Sequence, residues 1–224
     1  ISATGGVYGR KVGEAVEDVE LRPEEIEMII DEAHRRNIPV TAHAIGEEGI
    51  INCVHACIDC IEHGHFITHS LACEMAKKNI SYVPTLAVYR HIASDPEIPA
   101  YAQEKSRKIV DRHLQAFLWA KEAGVNIGTG SDAGSSKMPH PSIISEIVAL
   151  GDAGMNTSEV LRAATSNAAR ILKMENLLGV IKPHAIADCV LIDGDPLENL
   201  QALMKISCVI KEGQVAYCGQ RGAL

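Results

Sequence analysis

The sequence predicts an α/β fold, a parallel sheet with crossover helices followed by a small β unit, and three observations predict it. From residue 22 onward, strand-length apolar runs alternate with amphipathic stretches of helical period. Those helical stretches fall between the strand runs, which is the connection a parallel pair requires. After about Leu178 the texture changes to short strand signals joined by turn residues, as antiparallel hairpins are.

The first helix opens at Pro23, whose fixed φ suits the first helical position, and places Ile26, Ile29, Ile30 and Ala33 at i, i+3, i+4 and i+7 before ending near Asn37. Residues 39–43 read as a strand. Ile50, Ile51, Val54, Cys57 and Ile58 mark one face of a second helix, and residues 60–63 the next strand. A short helix over 70–78 leads to a strand over 80–83, which Pro84 closes because it cannot donate to a ladder. Residues 91–100, carrying Pro96 and Pro99, read as the one sizeable loop, either a surface connection or a lid over a site. A long helix over about 101–123 shows Val110, Leu114, Phe117 and Leu118 as its stripe. Gly124 then takes the left-handed cap before a strand over 125–129. One helix starts at Pro141, and another is capped by Asn156 with Glu159 three residues on. Strands over 187–193, 206–210 and 215–217 follow, the last two joined at Glu212-Gly213. The expected domains are residues 1–177 and 178–224.

Composition narrows the function. The chain has 224 residues, 46% of them apolar, which suffices for a real core. A formal charge of −8, with no basic cluster larger than Arg35-Arg36 or Lys77-Lys78, argues against nucleic acid or an anionic membrane as partner. No apolar run approaches the roughly 20 residues of a membrane helix. A small-molecule substrate is the expectation. Seven cysteines, an odd number without a small loop-rich framework, read as reduced thiols in a cytoplasmic protein.

Reactive groups in parallel α/β folds gather at the carboxyl ends of strands, and here three strands end in metal-competent residues: His43, His63 and Asp132. Imidazole and carboxylate suit zinc or another divalent cation, one ion or two, and an aspartate beside a metal-activated water can act as general base. His65, two residues beyond His63, is a rival ligand. His34, His55, His69 and His113 read as helix-surface residues. Cys53, Cys57 and Cys60 fall at i, i+4 and i+7, one helix face, and read as small apolar residues rather than a zinc cluster. Gly128, Gly130 and Gly134 imitate a dinucleotide fingerprint, but Asp132 would face the pyrophosphate. The glycines are better read as clearing space around that aspartate.

Several segments together resemble the amidohydrolase superfamily, in its imidazolonepropionase-like and Xaa-Pro dipeptidase-like branch. They are Thr41-Ala42-His43-Ala44-Ile45-Gly46, Ile61-Glu62-His63-Gly64, Val83-Pro84-Thr85-Leu86 and Gly128-Thr129-Gly130-Ser131-Asp132-Ala133-Gly134, with later matches at 154–156, 161–165, 187–188 and 193–197. The resemblance implies the C-terminal part of a metal-dependent (β/α)8 barrel, about strands 5 to 8, plus a segment of a small β-sandwich. It implies that His43 and His63 bind metal at the ends of strands five and six. Asp132, at the end of strand eight, would bind metal and serve as base and then acid. His140 matches a loop histidine of this branch, although Pro141 replaces the usual glycine, and Tyr89 and Arg90 could hold a substrate carboxylate, with a guanidinium suited to the task.

The departures carry equal weight. The superfamily's His-x-His at the first strand and its lysine at the fourth are absent, and residues 1–6 resemble the stretch following that lysine. About 180 residues remain for a barrel that ordinarily takes about 250. The missing barrel half is therefore expected from upstream sequence or another chain, and a homo-oligomer stays open. The expected activity is metal-dependent hydrolysis of amide-type C–N bonds in a dipeptide, N-acyl amino acid or cyclic amide. The alternative is a non-catalytic fragment acting as a binding or assembly module.

Overall fold

A computed structural model describes residues 1–9, 13–134, 138–140 and 142–219. Their contacts divide into two compact units, Ile1–Glu146 and Ile147–Leu224.

In the first unit α1 (Pro23–His34), β1 (Thr41–Ala44), α2 (Glu47–His55), β2 (Cys60–His63), α3 (His69–Lys78) and β3 (Ser81–Val83) alternate as expected. The strands form a parallel sheet in the order β1-β2-β3, with Ala44 opposite His63 and Glu62 opposite Val83. Single parallel bridges extend it on both sides, Ser2 to His43 and Tyr82 to Ile127. The backbone bonds Ala3 N to His43 O and Tyr82 N to Asn126 O, each 2.9 Å, carry the ladder onward. Five neighbouring strand positions result, the outer two contributing one bridge each. The expected strand over 125–129 is thus reduced to its bridge at Ile127, and β1 begins at Thr41 rather than at 39.

The apolar periodicity does its work at the core. Ile26 and Ile30 of α1, Ile50 and Val54 of α2, and Leu71 and Met75 of α3 are buried, and so are Ala42 and Ile61 of the sheet. A further apolar cluster joins Val7, Val16 and Ile45 to Tyr89, Ile92 and Ile109. Its last three members come from two helices that correct the sequence reading. Residues 91–100 are not a loop: α4 (Leu86–Ser94) occupies the first part, and only 95–99 connect it to α5 (Ala100–Glu122). Leu86, Tyr89 and Ile92 recur at three-residue intervals on the buried side of α4.

The inward stripe of α5 also differs from expectation. Ala102, Ser106, Ile109, His113, Ala116, Phe117 and Ala120 are buried, whereas Leu118 is exposed and Val110 and Leu114 are only partly covered. Small residues let α5 approach α4 closely, and Ser106 Oγ donates to Tyr89 O at 2.7 Å, which makes a polar inward face tolerable. The cysteine stripe dissolves too: α2 stops at His55, Cys57 is exposed with a left-handed φ of 59°, and Cys60 opens β2.

α6 (Ile143–Asp152) begins in the first unit and ends in the second; Pro141, expected to start it, lies outside the described residues. The second unit continues with α7 (Thr157–Ala163), capped by a reciprocal box between Asn156 and Glu159 as the sequence predicts, and α8 (Ser166–Ile171). β4 (Cys189–Ile192), a 3₁₀ turn over Leu200–Met204, β5 (Ile206–Lys211) and β6 (Gln214–Cys218) follow. The three strands are antiparallel in the order β4-β5-β6, and positive φ at Glu212 and Gly213 closes the last hairpin. The fold is α/β, with one parallel and one antiparallel sheet among the described residues. No helix among the described residues is long and apolar enough to cross a membrane.

Candidate active site

The parallel register decides which side chains meet. His43 on β1 and His63, the last residue of β2, stand on adjacent strands, and their rings pack edge to face with centroids 4.6 Å apart. His43 Nε2 lies 3.0 Å from Gly5 O. A carbonyl only accepts, so this nitrogen carries a proton and Nδ1 is the ring atom left free of that bond. The backbone fits closely here, since a Cβ on Gly6 would lie 3.5 Å from that ring.

His63 is buried, and its Nδ1 lies 2.7 Å from Thr85 Oγ1. Burial, reinforced by the neighbouring His43 and His113, holds its pKa well below the ordinary value, so the ring is neutral. The strand end turns sharply: His63 has a φ of 67° and Gly64 of 60°. A side chain on Gly64 would come within 2.5 Å of Ile67 Cδ1 and 2.6 Å of Tyr82 Cε2, which only glycine avoids. Thr85, two residues past β3, is also left-handed, with a φ of 54°.

Thr85 occupies the N-cap of α4, yet its hydroxyl does not cap the helix. Glu146 takes over that task from α6. Its carboxylate accepts the amides of Leu86 at 3.0 Å and Ala87 at 2.7 Å, leaving the Thr85 hydroxyl to His63. Glu146 is fully buried, and burial pushes its carboxyl up to about 7 against the opposing pull of those amides and of Arg90. The sequence gives little sign of this role, because Glu146 and the amides it caps are about 60 residues apart.

Asp132 follows the Ile127 bridge with a φ of 48°. It is open to solvent on one side, but desolvation on the other raises its carboxyl pKa; His43 acts in the opposite sense and Glu62 in the same one. Gly130 permits the approach of this segment, since a Cβ there would meet Val83 Cγ1 at 2.5 Å. His140 is exposed, its Nε2 3.9 Å from where a Cβ on Gly134 would be. Tyr89 is buried with its ring centroid 5.3 Å from that of His63, and burial, then the charge of Asp132, raises its phenol well above the usual range. Arg90 is half-buried, and its charge acts on Glu146 and His113.

Behind this group lies a layer that the sequence reading missed. His113, expected on a helix surface, is buried and stacks on His65 with centroids 3.7 Å apart. Tyr89 closes edge-on against His65 at 4.1 Å. Burial drives the His113 pKa down to about 3, and His65 is likewise held well below its ordinary value. Neither nitrogen of His65 has a hydrogen-bond partner among the described residues. The signal for His113 was its place four residues after Ile109 and three before Ala116, a stripe hidden by small residues.

The structure therefore brings His43 and His63 into ring contact with Asp132 in electrostatic reach. Among the described residues, no three His, Cys, Asp or Glu side chains converge closely enough to hold an ion. What the donors offer a divalent cation is chemical: imidazoles, each with one nitrogen anchored by a carbonyl or hydroxyl, the arrangement that orients a histidine ligand.

Over 212 residues the chain is 29% identical to ochratoxinase of Aspergillus niger, covering 93% of this chain and 43% of that protein. It is 33% identical over 189 residues to an uncharacterised protein of Mycobacterium bovis, covering 83% and 50%. A crystal structure of a Xaa-Pro dipeptidase with bound methionine superposes with a TM-score of 0.89 at 30% identity, over 98% of this chain and 54% of the other. The A. niger ochratoxinase structure gives a TM-score of 0.88 at 29% identity, over 99% and 52%. The chain spans about half the length of the relatives it matches. Residues 1–216 match the profile of the Amidohydrolase family, and with the strand-end histidines and aspartate in the resembling segments, the chain belongs to that family.

Proposed function

We propose that the chain supplies the carboxyl-terminal half of a metal-dependent hydrolase of amide-type C–N bonds. The observation that carries this reading is the His43–His63 ring pair on adjacent parallel strands, with Asp132 in electrostatic reach of His43. In the proposal residues 1–177 belong to a (β/α)8 barrel, strands five to eight, and residues 178–224 to a small β-sandwich. The five parallel strand positions support the barrel. The remaining ligands come from sequence ahead of Ser2 or from another chain, next to the strand position that Ser2 occupies beside β1.

His43, His63 and Asp132 would contribute to the site of a divalent ion, zinc in the first instance, which the remaining ligands complete. When bound there, such an ion would supply water activation and polarisation of the substrate carbonyl. Asp132 is the proton carrier. In this role it takes a proton from the attacking water and returns it to the leaving nitrogen as the C–N bond breaks. Thr85 and Gly5 hold the two imidazoles in orientation. Tyr89, neutral and against His63, offers a hydroxyl donor, and Arg90 and His140 are assigned to the substrate's carboxylate. Similarity to a Xaa-Pro dipeptidase and to ochratoxinase favours a dipeptide or N-acyl amino acid as substrate.

The test has two parts. Zinc titration of the purified chain should show binding that His43→Ala and His63→Ala each abolish. In the complete gene product, hydrolysis of a dipeptide and N-acyl amino acid panel should vanish in Asp132→Asn with the melt unchanged. Zinc binding indifferent to both histidines, or a complete protein without turnover, would instead leave a binding or assembly module.

A further inference from the structure

The second unit carries a pair of thiols that the hydrolase reading does not use. β5 and β6 place Cys208 directly opposite Cys218. The ladder bond beside them runs from Gly219 N to Ser207 O at 2.8 Å, joining the residues that flank the pair. Cys208 and Cys218 are therefore a non-hydrogen-bonded pair of an antiparallel ladder. In such pairs the Cα atoms sit about 4.5 Å apart with side chains close together, inside the ~4.4–6.8 Å over which a disulfide closes. The thiols already interact: burial first, then the adjacent Cys218 thiol, to which it is hydrogen-bonded, raises the Cys208 pKa. Both cysteines are free, Cys208 buried and Cys218 exposed.

We infer that Cys208 and Cys218 form a dithiol that oxidises to a cross-strand disulfide, with glutathione disulfide or a similar small disulfide as the oxidant. Exposure orders the steps. The Cys218 thiolate attacks one sulfur of the oxidant, breaking its S–S bond, so that one glutathione leaves as thiolate and takes up the proton that Cys218 released. The Cys208 thiol then loses its proton and attacks the Cys218 sulfur of the mixed disulfide. The new Sγ–Sγ bond forms as the second glutathione leaves with that proton. Two protein thiols are oxidised, and one disulfide is reduced to two glutathiones.

Cys189 does not compete. It pairs with Ile210, two residues along β5 from Cys208, and such diagonal neighbours lie about 7–8 Å apart, beyond disulfide reach. The bond would pin β6, whose residues are all exposed, at the end opposite the Glu212-Gly213 turn. This inference stands independently of the proposed hydrolase activity.

Equilibrating the purified chain across a series of glutathione disulfide to glutathione ratios, then acid quenching, alkylation and peptide mass mapping, tests it. The expected result is a cross-linked peptide joining Cys208 and Cys218, lighter by two hydrogen atoms and reversed by dithiothreitol, with Cys189 alkylated throughout. Cys208→Ser should stop at a glutathione adduct on Cys218, and Cys218→Ser should yield no cross-link at Cys208. A wild-type chain that halts at the Cys218 adduct, stays fully alkylated at every ratio, or cross-links Cys57, Cys73 or Cys189 instead would overturn the inference.

Discussion

Glu146→Gln isolates the charge that caps α4 behind the candidate site. In the unfolded chain this carboxyl releases its proton near 4.5, and in the fold near 7. Between those values the folded state binds more protons than the unfolded one, so stability falls as pH rises through the window. Below it the group contributes nothing to the pH dependence, and above it the whole cost remains. The rise from 4.5 to about 7, at 1.36 kcal/mol per pH unit, corresponds to about 3 kcal/mol. Glutamine cannot ionise and escapes that cost. It keeps one oxygen for one of the two amides and turns an NH₂ towards the other, which costs about 1–3 kcal/mol at every pH. The variant should therefore be less stable than the wild type near pH 4.5, with the gap closing and reaching parity or reversal by pH 8. Urea unfolding followed by circular dichroism from pH 4.5 to 8 measures this. Subtracting one curve from the other removes the titration of His63, His65 and His113, which both proteins share. Two stability curves running parallel between pH 5 and 7 would refute the reasoning.

Three further outcomes are expected. Thr85→Val removes the hydroxyl bonded to His63 Nδ1 while keeping a β-branched residue of similar shape. Zinc affinity of the chain should fall about 10–100-fold by calorimetry, and an unchanged affinity would remove Thr85 from the orienting role. Asn156→Ala breaks the capping box of α7 and should cost about 1 kcal/mol, read as a lower urea midpoint; an unmoved midpoint contradicts the cap. The Cys53 thiol, pushed up to about 12 by burial, should resist a disulfide reagent at pH 8 in the native chain while the exposed Cys57 and Cys73 react; modified Cys53 in folded protein would count against it.

The strands were legible where chemistry and periodicity coincide. Cys60–His63 stands where the sequence puts it, since an apolar run, a terminal histidine and a glycine mark one boundary three times over. The antiparallel strands were legible for the same reason, with Glu212-Gly213 between two β-branched runs. α4 is masked, because it starts right after the Pro84-Thr85 stop and the prolines at 96 and 99 carry a loop signal. The inward face of α5 escaped because close helix packing selects Ala102, Ser106, Ala116 and Ala120, which carry little hydrophobic signal. His113 and Glu146 escaped with it. Each is defined by a partner far away in sequence, and periodicity reports only on neighbours within a few turns.

The left-handed backbone at His63, Thr85 and Asp132 bears on how this protein could be engineered. Three non-glycine residues in that conformation hold roughly 1–3 kcal/mol of strain apiece, the β-branched threonine most of all. A stabilisation campaign guided by backbone preference would mark these positions for replacement by glycine or asparagine, and heat-resistant clones would be enriched in such changes. Each gain would delete an imidazole, a hydroxyl or a carboxylate from the mouth of the sheet. A library aimed at thermal tolerance should hold these three codons fixed and seek its improvements on the outward faces of the helices.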